Sequence, residues 1–127
     1  MHGRAASALI GAALGVLGAG APQSLGQDVA AGAAVFKTYC SVCHTVQPDR
    51  NLVGPSLFGV VGRPSGRASG FHYSDANKRS GITWTEGELD TYLTSPRQVV
   101  PGTLMSFPGL KNPKQRADVI AYLATLR

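Results

Sequence analysis

The chain has 127 residues, carries 12 Lys and Arg against 7 Asp and Glu for a formal charge of +5, and contains 16 glycines and 8 prolines. That length holds one domain with a modest core, much of it loop. No more than two basic residues stand side by side, Lys78 and Arg79, which excludes a nucleic-acid surface and leaves an acidic protein partner as the fit for a mild positive charge.

Met1, His2 and Arg4 make a short positive start, Ala5 to Ala19 is a run of small and apolar residues, and polar residues follow. This is the pattern of an export leader. The run is about 15 residues, short of the roughly 20 that a membrane span takes. Pro22 disfavours cleavage after Ala21, whereas Ser24-Leu25-Gly26 sets small residues before a cut. Residues 1–26 are therefore read as a cleaved signal peptide and 27–127 as the domain, with an uncleaved anchor as the competing reading. Cleavage removes Arg4 from the 12 basic residues, leaving 11 against 7 acidic ones and a charge of +4. Export also places the two cysteines in an oxidising compartment, where a free dithiol does not persist.

Asp28 caps a first predicted helix running to about Cys40, with Gly32, Phe36 and Cys40 along one face. Ser74 caps a short helix over Asp75 to Arg79. Thr85 with Glu88 three residues later reads as a capping box for a middle helix that Pro96 must end. Residues 100–109, VPGTLMSFPG, have neither helical nor strand period and read as a rigid loop. Asn112, followed by Pro113 and Gln115, opens a last helix to about Leu126, whose apolar stripe is Val119, Ile120, Leu123 and Leu126. The expected fold class is all-α, a small domain of about four to five helices with long loops between them.

Residues 39–46, YCSVCHTV, hold both cysteines. A redox Cys-x-x-Cys belongs at a helix start within alternating strands and helices, and strand patterns are nearly missing here. Structural zinc needs four N or S ligands, and beyond Cys40, Cys43 and His44 the mature chain offers only His72. A Cys40–Cys43 disulfide closes a very small loop and leaves His44 unexplained. C-x-x-C-H as a unit is the attachment signature of a c-type haem, and it uses all three residues. One helical turn carries the two sulfurs to two vinyl groups on one haem edge, and the next residue's imidazole turns toward the iron.

The opposite face of such an iron decides between small-ligand chemistry and electron transfer. Beyond the initiator the only methionine is Met105, in the 100–109 loop, where a thioether could ligate iron or simply fill the core. His72, between Phe71 and Tyr73, reads as an exposed loop histidine.

From Gly32 to Leu123 the sequence resembles the class I cytochromes c, in the branch of mitochondrial cytochrome c and bacterial cytochrome c2. The resemblance is carried by GAAVFKTYCSVCHTV, GPSLFGVVGRPSGRASGFHYSDANKRSGITW, LDTYLTSPRQVVPGTLMSF and RADVIAYL, in the family's order and close to its spacing. It implies helices and loops wrapped around one haem c bound through Cys40 and Cys43, with His44 and Met105 as the metal ligands. It implies further that the Pro55 carbonyl accepts from the second ring nitrogen of His44. Arg63, Tyr73 and Trp84 then stand where the family places donors to an inner haem propionate, a charge too costly to bury unpaired. Asn77, Tyr92 and Thr103 match a polar cluster behind the methionine, and Leu93 and Phe107 match apolar walls. The first and last helices are expected to cross near Gly32 and Tyr122.

The function so implied is single-electron transport in a bacterial respiratory or photosynthetic chain, from a quinol-oxidising complex to an oxidase, reaction centre or reductase, by a periplasmic monomer that is not an enzyme. The alternative is a haem peroxidase or ligand-binding module in which Met105 leaves the iron. The resemblance weakens around the haem edge. The lysine ring of well-known members is thinned to Lys37, Arg97 and Lys111, with uncharged Tyr39, Val53 and Leu104 beside the motifs, and the loop from Thr45 to Gly54 is about one residue short of the mitochondrial pattern. Docking less dependent on salt than in the lysine-rich relatives is the expectation.

Overall fold

A computed structural model describes residues 28–127 and Gly15, so the expected leader and its cleavage point lie outside the described residues. The described chain forms α1 (Val29–Tyr39), α2 (Asp75–Arg79), α3 (Glu86–Thr94), α4 (Pro96–Val99) and α5 (Pro113–Ala124). Among the described residues the nearest thing to a strand is one isolated antiparallel bridge between Pro64 and Thr83. None of these helices is long and apolar enough to cross a membrane.

Each expected cap is made. Asp28 accepts from the Ala31 N–H, Ser74 from Asn77, Thr85 from Glu88, and Asn112 from both Lys114 and Gln115. These bonds satisfy helix N–H groups that have no partner within the helix. Two boundaries differ from expectation. Pro96 follows the end of α3 and also opens α4 as its first residue, where the missing proline N–H costs nothing. The last helix stops at Ala124, where Thr125 takes the cap position and the Leu126 carbonyl turns to accept from Gly59 N–H at 2.8 Å.

α1 and α5 cross at Gly32. A Cβ there would stand 1.9 Å from the Asp118 carbonyl oxygen and 2.8 Å from the Tyr122 Cβ, so the two backbones meet at a distance only glycine permits. The Phe36 and Tyr122 rings pack beside this point with centroids 5.9 Å apart. Asp118, itself 3% exposed, accepts from the Asp28 backbone N–H at 3.2 Å and pairs with Lys114 at 2.8 Å. The core continues from this crossing through Val119, Ile120 and Leu123 to Leu89, Tyr92, Trp84, Val60, Val100 and Leu110. The intervening loops close onto it through backbone bonds, among them Gly62 N–H to Trp84 carbonyl at 2.8 Å and Leu110 N–H to Leu93 carbonyl at 2.7 Å.

Candidate haem site

α1 delivers the attachment motif. Its C-cap is Cys40, whose carbonyl then accepts from Cys43 N–H at 3.1 Å and His44 N–H at 2.9 Å, so the turn that follows the helix is itself tightly wound. Both thiols are free and half-buried. Burial, reinforced by the neighbouring Cys43, pushes the Cys40 thiol up to about 11 from its ordinary 9.0. A redox-active dithiol requires the opposite shift, because the thiolate is the reacting form.

The His44 ring is fixed from two sides. Its Nδ1 lies 2.7 Å from the Pro55 carbonyl oxygen and donates to it, which leaves Nε2 with its lone pair free for a metal. Gly54 lies flat against the ring: a Cβ there would come 2.3 Å from His44 Cε1. The Gly54 N–H donates to the Cys43 carbonyl at 2.8 Å, so the loop that holds the ring is tied to the motif that carries it. Burial lowers the His44 pKa, outweighing the Pro55 hydrogen bond, and the Arg63 charge lowers it further. The neutral imidazole is the form that donates its lone pair to a metal.

Met105 stands partly buried against the core, and its sulfur accepts from the Tyr92 hydroxyl at 3.2 Å. Its backbone N–H donates to Thr103 Oγ1 at 3.2 Å. Burial raises the Tyr92 pKa, partly offset by a hydrogen bond with Thr103, so the phenol remains a donor. Tyr92 also packs on Trp84, ring centroids 4.6 Å apart, and Leu93 and Phe107 are partly buried against the same cluster. Tyr92, Thr103 and Met105 therefore meet.

Asn77 makes hydrogen bonds of its own with the loop before it. Ser65 Oγ lies 2.5 Å from Asn77 Oδ1 and 2.8 Å from Ser80 Oγ, making a polar knot between the loop at 65 and α2. Arg63 donates to the Phe58 and Ser56 carbonyls, each at 3.1 Å, and buried Tyr73 accepts from the Ala68 N–H at 2.9 Å. His72 is exposed. Asn51 was not singled out from the sequence. Its side-chain carbonyl accepts from Ser56 N–H at 2.9 Å while its amide donates to the Ser69 carbonyl at 2.9 Å, clamping two loops with one side chain. Nothing local to Asn51 signals this, because the partner at Ser69 is 18 residues away.

The donor set fits a c-type haem and not a protein-only metal site. Among the described residues no three His, Cys, Asp or Glu side chains gather to hold an ion. What they offer is two adjacent thiols for thioether bonds, one oriented neutral imidazole and one inward thioether sulfur.

The comparisons agree. The family model for cytochrome c matches residues 29–127. A cytochrome c2 of Rhodopila globiformis is 52% identical over 100 residues, covering 79% of this chain and 94% of that protein. A cytochrome c2 of Rhodomicrobium vannielii is 56% identical over 99 residues, covering 77% and 78%. The solved structure of cytochrome cH from Methylobacterium extorquens superposes with a TM-score of 0.72 at 47% identity, over 77% of this chain and 98% of that one. With attachment motif, oriented histidine, all-α fold and near-complete match all in agreement, the chain belongs to the cytochrome c family and holds one haem c through Cys40 and Cys43.

Proposed function

We propose that the protein is a periplasmic single-electron carrier whose haem iron is held by His44 and Met105. When bound, the haem supplies a one-electron couple, and ligation by histidine and methionine raises its potential. The chain's own residues keep that couple closed to other chemistry. The Pro55 carbonyl holds the His44 ring in one tautomer, and the Tyr92 hydroxyl draws electron density from the Met105 sulfur, which favours the reduced state. Leu93, Phe107 and Trp84 limit water near the iron, which acts in the same direction. Arg63, Tyr73 and Trp84 are assigned to an inner propionate, with Arg63 already oriented by the Ser56 and Phe58 carbonyls.

The observation that carries this reading is the His44 ring, fixed at 2.7 Å from the Pro55 carbonyl directly behind two free thiols. Localisation is supported by the leader pattern of residues 1–26 and by bacterial cytochromes c2 among the relatives. The partners are redox proteins, a quinol-oxidising complex as donor and an oxidase, reaction centre or reductase as acceptor, and the carrier works as a monomer without enzymatic activity of its own. A peroxidase would need a distal acid or base, and His72, the candidate for that role, is exposed on a loop.

Voltammetry and carbon monoxide binding test the proposal on holoprotein matured in a bacterial periplasm. A reversible one-electron wave at positive potential and no rapid carbon monoxide binding by the reduced form are expected. Rapid binding would mean an open sixth position and ligand or peroxide chemistry.

A further inference from the structure

The loop that carries Met105 is tied at each step as it leaves α4. Val100 N–H bonds to the Pro96 carbonyl at 2.9 Å, Thr103 N–H to the Val100 carbonyl at 3.0 Å, and Met105 N–H to Thr103 Oγ1 at 3.2 Å. Past the methionine such ties stop. Pro108 has no N–H, and among the described residues the next backbone N–H after Met105 to find a partner in the protein is that of Leu110. The order of residues 106–109 therefore depends on how their far end is held.

That end is held by the last turn of α3 and by Arg116. α3 has no basic residue in its last turn, and the final carbonyls of a helix find no partner within it. The Leu93 carbonyl accepts from Leu110 N–H at 2.7 Å, and the Thr94 carbonyl from the Lys111 ammonium. Gly109 lies flat on the same Thr94 carbonyl, where a Cβ would come 2.3 Å from the oxygen. Arg116 closes the arrangement from α5. Its Nη1 donates to the Leu110 and Lys111 carbonyls at 3.0 and 3.1 Å, and its Nε to Asp90 Oδ1, back on α3, at 2.8 Å. The Arg116 side chain is 13% exposed against 52% for Asp90, so the guanidinium is the buried centre of this clasp and the carboxylate its outer edge. The residue before Leu93 and Thr94 is Tyr92, whose hydroxyl donates to the Met105 sulfur at 3.2 Å. One turn of α3 thus holds both the sulfur and the exit of its loop.

We propose that Arg116 is a positioning residue for Met105: by fastening Leu110 and Lys111 to α3 it fixes the downstream end of the loop and so keeps the thioether at the sixth position. The inference rests on ligation by His44 and Met105, and adds to it what holds the second ligand in place. A planar guanidinium, with donors in fixed directions, engages a carboxylate and two carbonyls together, and a lysine ammonium there would not hold all three in the same geometry. With the clasp gone the loop opens more often. An added ligand that binds only when the methionine has left then gains apparent affinity in proportion to the open fraction.

Titration of the ferric holoprotein with imidazole, followed by loss of the weak red band, tests this. Arg116→Gln is expected to bind imidazole at least about threefold more tightly than wild type, and Arg116→Lys to fall between the two. Asp90→Ala/Lys111→Ala, changed only at exposed positions, decides the matter should Arg116→Gln not fold, and is expected to gain at least about twofold. Asp118→Asn breaks the other ion pair of α5, on the side that meets the Asp28 N–H, and is expected to stay within about twofold of wild type although it too weakens the fold. Smaller gains than these in the clasp variants overturn the inference, because the loop end then does not govern the ligand. A gain in Asp118→Asn as large as in Arg116→Gln overturns it as well, because any loosening of α5 would then suffice. Failure of the ligation reading looks different: wild type itself would lack the red band and bind imidazole as tightly as Met105→Ala does, and this inference falls with it.

Discussion

The α1–α5 crossing and the loops between residues 44 and 74 both position the His44 ring, yet they are held by different forces. The crossing buries Val35, Phe36, Val119, Ile120 and Leu123 against a glycine contact, so apolar packing stabilises it directly. In the loops the buried apolar side chains are Val60 and Tyr73, and order comes from single hydrogen bonds between distant groups, such as Ser56 Oγ to the Gln47 carbonyl at 2.5 Å and Thr45 Oγ1 to the Arg50 carbonyl at 2.6 Å. Such bonds each contribute only about 0.5–1.5 kcal/mol net. Loops of that kind need something to wrap, and the haem is that surface.

Removing the haem should therefore break the comparison altogether. The Cys40→Ser/Cys43→Ser double variant without haem is expected to be largely unfolded, because the remaining crossing is too small a core to stand alone. Circular dichroism with thermal unfolding checks this, and a cooperative transition in the haem-free chain would show that the loops hold themselves.

Gly32→Leu strikes the helical half alone. Its Cβ would meet the Asp118 backbone at 1.9 Å, which no rotamer relieves. A loss of about 3 kcal/mol or more is expected from the denaturant midpoint of the holoprotein. An unchanged midpoint would mean that the helices do not meet there.

Asn51→Ala strikes the loop half. It removes both bonds that join the segment at Ser56 to the one at Ser69 and leaves their partners to find water, a cost of about 1–3 kcal/mol. Hydrogen exchange should quicken at Ser56 and its neighbours while α1 and α5 keep their protection. Equal acceleration everywhere would show that the two regions unfold as one unit.

The smallest effect expected is at Asp118. Its hydrogen bond with Lys114, assisted by the Asp28 N–H, holds its pKa below the ordinary 3.8 despite burial. A carboxylate lowered in the folded state contributes stability that is present above its unfolded pKa and is lost as pH falls through the folded value. Asp118→Asn should therefore lower the midpoint at neutral pH and flatten the decline of stability below about pH 4. Parallel curves for the two proteins on the acid side would contradict it.

The same contrast governs what could be read from the sequence. Caps at Asp28, Ser74, Thr85 and Asn112 are local chemistry, legible within four residues, and all four are made. C-x-x-C-H is equally local. Pro55 and Tyr92 came from the family resemblance, which implied the Pro55 carbonyl bond to His44 but not the bond from Tyr92 to the Met105 sulfur. Asn51, the Ser65 knot on Asn77 and the burial of Asp118 under α1 escaped because each depends on a partner far along the chain. The bond that Lys111 makes escaped for the same reason. Nothing in its neighbours announces the Thr94 carbonyl 17 residues away.

The methionine–iron bond is tested most simply by the optical spectrum of the oxidised holoprotein, which shows a weak red band when thioether sulfur ligates ferric haem. The band is expected in the wild type and in His72→Ala, and should vanish in Met105→Ala. Its absence from the wild type, or its survival in Met105→Ala, would contradict a closed electron carrier built on His44 and Met105.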